Sequence, residues 1–284
     1  MKTYLLILNG PEKRDFTVER AINVSIPVFD EIRVLQNGYI DNHSNPLIER
    51  YTTHSFSDSI DMVKAHNLLV EGLQDGDYFL AIDSDECPDP ELLNFIKRKE
   101  FDPRYTHYGI QYKHHQIDNN GLFTYIVDSK EAFRAVRFHR YEDSMVVKTY
   151  FGSHTTYSHD DSSKYLPSNL HINHFKHDFA MLVSTIAHAL AFPEAHGITE
   201  GLAFDTIVKI RSKYGIGLSF VYKNFTNKAI FKEIKELLSP LTESTNKIII
   251  DIFRAIDFIL ANDKDLLELN RYELCKLECC TYVQ

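Results

Sequence analysis

The chain has 284 residues, 44% of them apolar and 25% charged, and a formal net charge of −9. This is the profile of a folded globular protein with an ample core, and the acidic balance speaks against broad, non-specific nucleic-acid binding, which needs many neutralised phosphates. No apolar run reaches the ~18 residues of a membrane helix; the opening MKTYLLILNGPEKRD has a short apolar run followed at once by charges, so a first strand and a cytoplasmic protein are expected.

Residues 3 to 8 form that strand, with Asn9-Gly10-Pro11 as a turn at its end. Phe16 to Ser25 places Val18, Ala21, Ile22 and Ser25 at helical spacing and predicts a crossover helix. Glu31 to Leu35 reads as a second strand that ends in Gln36-Asn37-Gly38, where a glycine lets the backbone approach a ligand. Residues 47 to 56 suggest a short strand. A helix capped by Ser57 or Asp58 then runs through Met62, Val63, Leu69 and Leu73 to a stop at Asp75-Gly76.

The next stretch, DYFLAIDSDECPDPELLNFI (Asp77 to Ile96), organises the rest. Tyr78 to Ile82 is a nearly unbroken apolar run that suits a strand covered on both faces, and Asp83 closes it. Asp89-Pro90-Glu91 supplies a cap, a proline at the first helical position and an early acid, so a helix carrying Leu92, Leu93 and Ile96 follows. Asp83 and Asp85, two residues apart on extended backbone, point the same way, and converging carboxylates suit a hard divalent cation completed by phosphate oxygens.

Strands and helices alternating at this pace predict parallel pairing with right-handed crossovers. The three loops at Asn9-Gly10-Pro11, Gln36-Asn37-Gly38 and Asp83-Ser84-Asp85 then converge beyond the carboxyl ends of the strands. After Arg104, segments at Tyr108–Gln116, Leu122–Val127 and Ala132–Arg140 read as antiparallel additions, and Arg134, Arg137, Arg140 and Lys148 offer a local basic patch. Residues 152 to 168 read as a mobile loop. A His-rich run, Leu170 to His177, precedes a helix from about Asp178 to Ala191, and the remainder is helical, with apolar runs at Ile230–Leu238, Ile248–Leu260 and Leu266–Leu277. Cys87, Cys275, Cys279 and Cys280 form no CxxC pair, as expected of a reduced protein.

These residues resemble a known family, the nucleotide-sugar-dependent glycosyltransferases of the GT-A fold, most like family 2. The resemblance covers about residues 1 to 192. It rests on DEIRVLQNG (Asp30 to Gly38), on FSDSIDMVKAHNLLVEGLQDGDYFLAIDSDECPDPELL (Phe56 to Leu93) with its Asp-x-Asp block, on AVRFHRYEDS (Ala135 to Ser144) before Gly152-Ser153-His154, and on INHFKHDF (Ile172 to Phe179).

The resemblance implies an α/β, GT-A-like, mostly parallel sheet over residues 1–192, to which the residues themselves add a helical region over 193–284. It implies that Asp85 and His174 bind Mn2+ or Mg2+, with Asp83 on the metal-bound water or the donor ribose. Asn9, Gly10, Gln36 and Asn37 would hold the nucleoside, and Arg137 and Arg140 would reach phosphate. His154, or Asp143 of the Glu142-Asp143 pair, stands where the catalytic base is expected. Gln36-Asn37 replaces the family's usual aspartate after the second strand, and Thr155 replaces the acidic companion of His154.

The expected reaction moves a sugar from a nucleoside diphosphate sugar, a UDP-sugar first among them, to an acceptor hydroxyl with inversion. DNA carrying a hydroxylated base is one candidate acceptor, as for some phage transferases, and the C-terminal helices offer a face for a homo-oligomer. A nucleotidyltransferase and a non-catalytic scaffold are the alternatives. The former lacks a glycine-rich basic loop near the N-terminus, where only Lys13 and Arg14 follow the turn.

Overall fold

The computed structural model describes residues 1–10, 15–38, 45–118, 121–126, 135–150, 154–158, 163–167, 169–217 and 219–262. The expected helical run at Leu266–Leu277 and the cysteines at 275, 279 and 280 lie outside them.

Strand β1 (Thr3–Asn9) is buried along its whole length because it has a parallel neighbour on each side. Helix α1 (Asp15–Ser25) buries Val18, Ala21, Ile22 and Ser25 as their spacing predicts, and leads to β2 (Glu31–Asn37). The expected strand over 47–56 is corrected: it is a helix first, α2 (Pro46–Tyr51), and only then a strand, β3 (Thr52–Phe56). Asn45 explains the difference. Its side-chain oxygen accepts from Leu47 N at 3.0 Å, and Pro46 occupies the first turn. Helix α3 (Met62–Val70) is capped by Asp61 rather than Ser57 or Asp58, and ends before the Asp75-Gly76 stop.

Strand β4 (Tyr78–Asp83) and helix α4 (Pro90–Arg98) stand where expected, with Asp89 accepting from Glu91 N at 3.0 Å. Between them lies β5 (Glu86–Pro88), a three-residue strand. The chain continues through β6 (His107–Asp118), β7 (Gly121–Ile126) and β8 (Ala135–Arg140). The segment expected as a loop over 152–168 instead contains two strands. One, β10 (His154–Ser158), forms a hairpin with β9 (Val146–Tyr150), and the other, β11 (Ser163–Tyr165), pairs with β6. Burial of Tyr157 anchors the hairpin on the body of the protein.

Strand β12 (His171–His177) runs directly into α5 (Asp178–Ala191). Helices α6 (Gly201–Tyr214), α7 (Ser219–Lys223), α8 (Lys228–Leu237) and α9 (Lys247–Ala261) follow. Among the described residues no helix is long and apolar enough to cross a membrane.

The main sheet has the order β3-β2-β1-β4-β8-β6-β12-β5. Its first four strands are parallel, while β8 and β5 run against their neighbours. Period-two alternation divides the two cores. Leu5, Ile7, Val34, Leu80 and Ile82 pack toward α1, α2 and α4, whereas Tyr4, Leu6, Leu8, Leu35 and Phe79 pack toward α3 and the β9–β10 hairpin. A third core joins Val183, Ile186 and Leu190 of α5 to α6–α9. A division of the chain at residue 192 thus falls between α5 and its own packing partners.

Candidate functional site

From β1 the chain passes to β2 and β3 on one side and returns to β4 on the other. The elements that follow β1 and β4 thus lie on opposite sides of the pair, the switch point beyond whose strand ends open α/β sheets take their ligands; that strand-end edge is the candidate crevice. Leu8 lies beside Asp83, so Asn9, Gly10 and the acidic turn share that edge. Gln36 lies beside Asn9 on the other flank.

Beyond Asp83 the chain reverses through Ser84 and Asp85 into β5, which pairs antiparallel with β12 and sets Glu86 opposite His174. Strand β6 lies on the other side of β12 and sets His114 beside His174. Three strands distant in sequence thus deliver the acidic turn, Tyr112, His114 and His174 to one place. His174 Nε2 lies 3.0 Å from Asp85 Oδ2, and the imidazole packs against the rings of His114 and Tyr112 with centroids 4.9 and 5.4 Å away. Phe175 N–H donates to the Asp85 carbonyl at 2.9 Å, which ties the turn to β12 a second time.

Asp83 is held differently. Arg137 of β8 donates from Nη2 to Asp83 Oδ2 at 2.5 Å and to Glu86 Oε1 at 2.7 Å, and from Nε to the Tyr112 hydroxyl at 2.7 Å. That hydroxyl donates to Glu86 Oε1 at 2.9 Å, while Glu86 Oε2 accepts the Asp83 N–H at 3.0 Å. Glu86 is 2% exposed, and burial pushes its carboxyl up against the opposing pull of Arg137. Burial also opposes the charge on Arg137, but Asp83, Glu86 and the Tyr112 hydroxyl more than offset it and raise its pKa well above the ordinary value. Tyr112 is pushed well up, chiefly by burial, and stays a neutral donor.

Other expected site residues separate into those the fold brings to the crevice and those it does not. Asn9 is fully buried at the end of β1, and its amide oxygen and nitrogen have no partner among the described residues. Gln36 donates from Nε2 to Thr52 Oγ1 at 2.8 Å, and its Oε1 has no partner among the described residues. Asn37 spends both ends of its amide on Ile60, donating to its carbonyl at 3.1 Å and accepting its N–H at 2.7 Å. This pins the segment that enters α3. Gly38 lies at φ +75°, and a Cβ there would meet Ser59 Oγ at 2.2 Å.

Arg140 and Asp143 are not brought to the crevice. Strand β8 runs antiparallel to β4 and pairs Arg140 with Tyr78, at the opposite end of β4 from Asp83. Five strand rises of ~3.3 Å separate those ends, roughly 16 Å. There Arg140 donates to the Pro103 carbonyl at 3.0 Å, and Asp143 N–H donates to Asp75 Oδ1 at 2.8 Å. His154 opens β10 opposite Tyr150, and its side chain lies outside the described residues.

Sequence reasoning gave no role to Glu86 or Tyr112, and passed over His66 and Tyr157. His66, on α3, is 3% exposed, and its Nδ1 lies 2.8 Å from the Tyr157 hydroxyl. Burial lowers its pKa to about 4, opposed by Asp83 and aided by Arg137. Among the described residues no three His, Cys, Asp or Glu side chains gather into a metal cluster.

Fold and turn together define a mixed α/β protein whose parallel-dominated sheet carries an acidic, histidine-flanked turn at its strand ends. No protein-family model matches the chain, and no curated protein matches it. Solved structures with a similar layout include S. aureus TarS 1-349 in complex with UDP-GlcNAc, with a TM-score of 0.43 and 10% identity over 96% of this chain and 92% of that one. A 4-diphosphocytidyl-2C-methyl-D-erythritol synthase gives a TM-score of 0.31 and 9% identity, over 49% of this chain and 74% of the other. The Francisella tularensis 2-C-methyl-D-erythritol 4-phosphate cytidylyltransferase gives 0.28 and 13%, over 49% and 73%.

Proposed function

We propose that the protein is a divalent-metal-dependent glycosyltransferase that moves a sugar from a nucleoside diphosphate sugar to an acceptor hydroxyl. The observation that carries this reading is the approach of Asp85 and His174 to 3.0 Å at the edge of the crevice, beside an Asp83 already bonded to Arg137. Two adjacent donors of an octahedral shell with bonds of 2.0–2.1 Å stand about 3 Å apart, so this pair fits two neighbouring positions on Mg2+ or Mn2+. Such ions take few protein ligands and fill the rest of the shell with water and phosphate oxygens, which suits two donors in place of a closed cluster.

When bound, the ion supplies charge to the leaving diphosphate as the bond to the anomeric carbon breaks. The chain's own residues bind and orient. Asp85 and His174 would hold the ion, Asp83 would face the donor, and the strand ends at Asn9 and Gln36, whose amides keep atoms without a partner among the described residues, would take the nucleoside. The sugar forms its new bond to the acceptor oxygen, whose proton leaves to a base, with inversion at the anomeric carbon.

A thermal-shift screen of UDP-, GDP-, CDP- and ADP-sugars with and without Mn2+ tests the reading, because a ligand that binds the folded state raises its apparent stability. A metal-dependent shift with at least one donor is expected. Asp85→Ala should abolish that shift and metal-dependent release of nucleoside diphosphate. Full turnover by Asp85→Ala, or release of pyrophosphate from a nucleoside triphosphate in its place, would count decisively against a glycosyltransferase.

A further inference from the structure

The Glu86 side chain is buried behind the acidic turn, and both oxygens of its carboxylate are in use. One oxygen accepts from Tyr112 and Arg137, and the other accepts the backbone N–H of Asp83. A buried ion pair is a poor source of stability, since an apolar replacement of similar volume is often as stable or more so. The arrangement does determine where Asp83 stands. Its backbone is fixed by Glu86 Oε2, and its side chain is gripped by an Arg137 that Glu86 Oε1 and Tyr112 hold in position.

The same residue sets the second donor pair. Glu86 is the β5 residue opposite His174, so the strand it opens fixes the distance between the acidic turn and β12.

We propose that Glu86 is a positioning residue of the donor site, acting through Arg137 and the Asp83 backbone to preset Asp83 before any metal or nucleotide arrives. The proposal rests on the transferase reading above and adds to it a residue that meets no substrate.

A double-mutant cycle on binding tests it, because two residues that act as one unit lose less together than the sum of their separate losses. Calorimetry would follow Mn2+ together with UDP, GDP, CDP and ADP in turn, on the full chain, with circular dichroism as the check of folding. Glu86→Gln keeps the volume but has one acceptor oxygen where two are used, so its NH2 must face either the Asp83 N–H or the Arg137 and Tyr112 donors. It is expected to weaken the best Mn2+–nucleotide combination tenfold or more in the wild-type background, and less than twofold on top of Asp83→Asn. Additive losses, or unchanged affinity in Glu86→Gln, overturn the positioning role alone. Failure of the wild-type protein to bind any of the combinations overturns the transferase reading and this proposal with it. If Glu86→Gln does not fold, Tyr112→Phe decides: it removes only the hydroxyl between Arg137 and Glu86, and should weaken binding severalfold with the same non-additivity. Unchanged or additive behaviour there is the overturning result.

Discussion

Replacing Arg137 with methionine removes the only cation bonded to Glu86 among the described residues, and leaves a carboxylate that is 2% exposed with the Tyr112 hydroxyl and the Asp83 N–H as its partners. Breaking a buried pair from one side costs about 3–5 kcal/mol at neutral pH. Whole domains are stable by only about 5–15 kcal/mol, so the loss is large but survivable.

The sign of its pH dependence follows from Glu86. Burial already raises its carboxyl in the wild type, and without Arg137 it rises further above the unfolded value of 4.5. Between the unfolded pKa and the raised folded one, the folded protein keeps a proton that the unfolded chain has released, so stability falls as pH climbs across that interval, by about 1.4 kcal/mol per unit. Arg137→Met should therefore be weakest at pH 7.5 and regain stability on acidification toward pH 5. Urea unfolding followed by circular dichroism at both pH values measures this. The charge-free double variant Arg137→Met/Glu86→Gln should recover at least ~2 kcal/mol over the single variant at pH 7.5. A single variant within 1 kcal/mol of wild type, or a double variant no more stable than the single, would refute the reasoning.

His66 provides the opposite pH limb. Its pKa falls from 6.5 unfolded to about 4 folded, so the unfolded chain takes up a proton first and stability drops as pH falls between those values, by roughly 3 kcal/mol; the wild-type minus His66→Phe stability difference, measured by urea unfolding across that range, should show this slope. Gly38→Ala and Gly72→Ala both place a side chain at positive φ, but the Cβ at 38 meets Ser59 Oγ at 2.2 Å and the one at 72 meets nothing within 4 Å. Thermal unfolding should show a loss near ~1 kcal/mol for Gly72→Ala and a clearly larger one for Gly38→Ala.

Local signals explain what could be read directly from the residues. The apolar runs of β1 and β4 and the Asp89-Pro90 start of α4 depend on neighbours within a few positions, and each appears where the residues put it. Helix α2 was legible in principle from Asn45-Pro46, but the strand-like TTHSF that follows masked it. Strand β5 was not legible, because three residues, ECP, become a strand only by pairing with β12. Glu86 was opaque for the same reason: Tyr112 and Arg137 stand 26 and 51 positions away. Arg140 and Asp143 were expected beside the crevice because AVRFHRYEDS resembles a basic strand of the family followed by an acidic pair. The antiparallel run of β8 carries each later residue about 3.3 Å farther from it.

The absence of a loop between β12 and α5 has a mechanical consequence. His174 stands four residues before Asp178, where α5 begins, and α5 contributes Val183, Ile186 and Leu190 to the helical core. Only four positions separate the imidazole from that helix, so any movement of the helical core relative to the sheet has to be taken up at the β12–α5 junction itself. The imidazole beside Asp85 therefore sits next to the one place where strand and helical core can bend against each other.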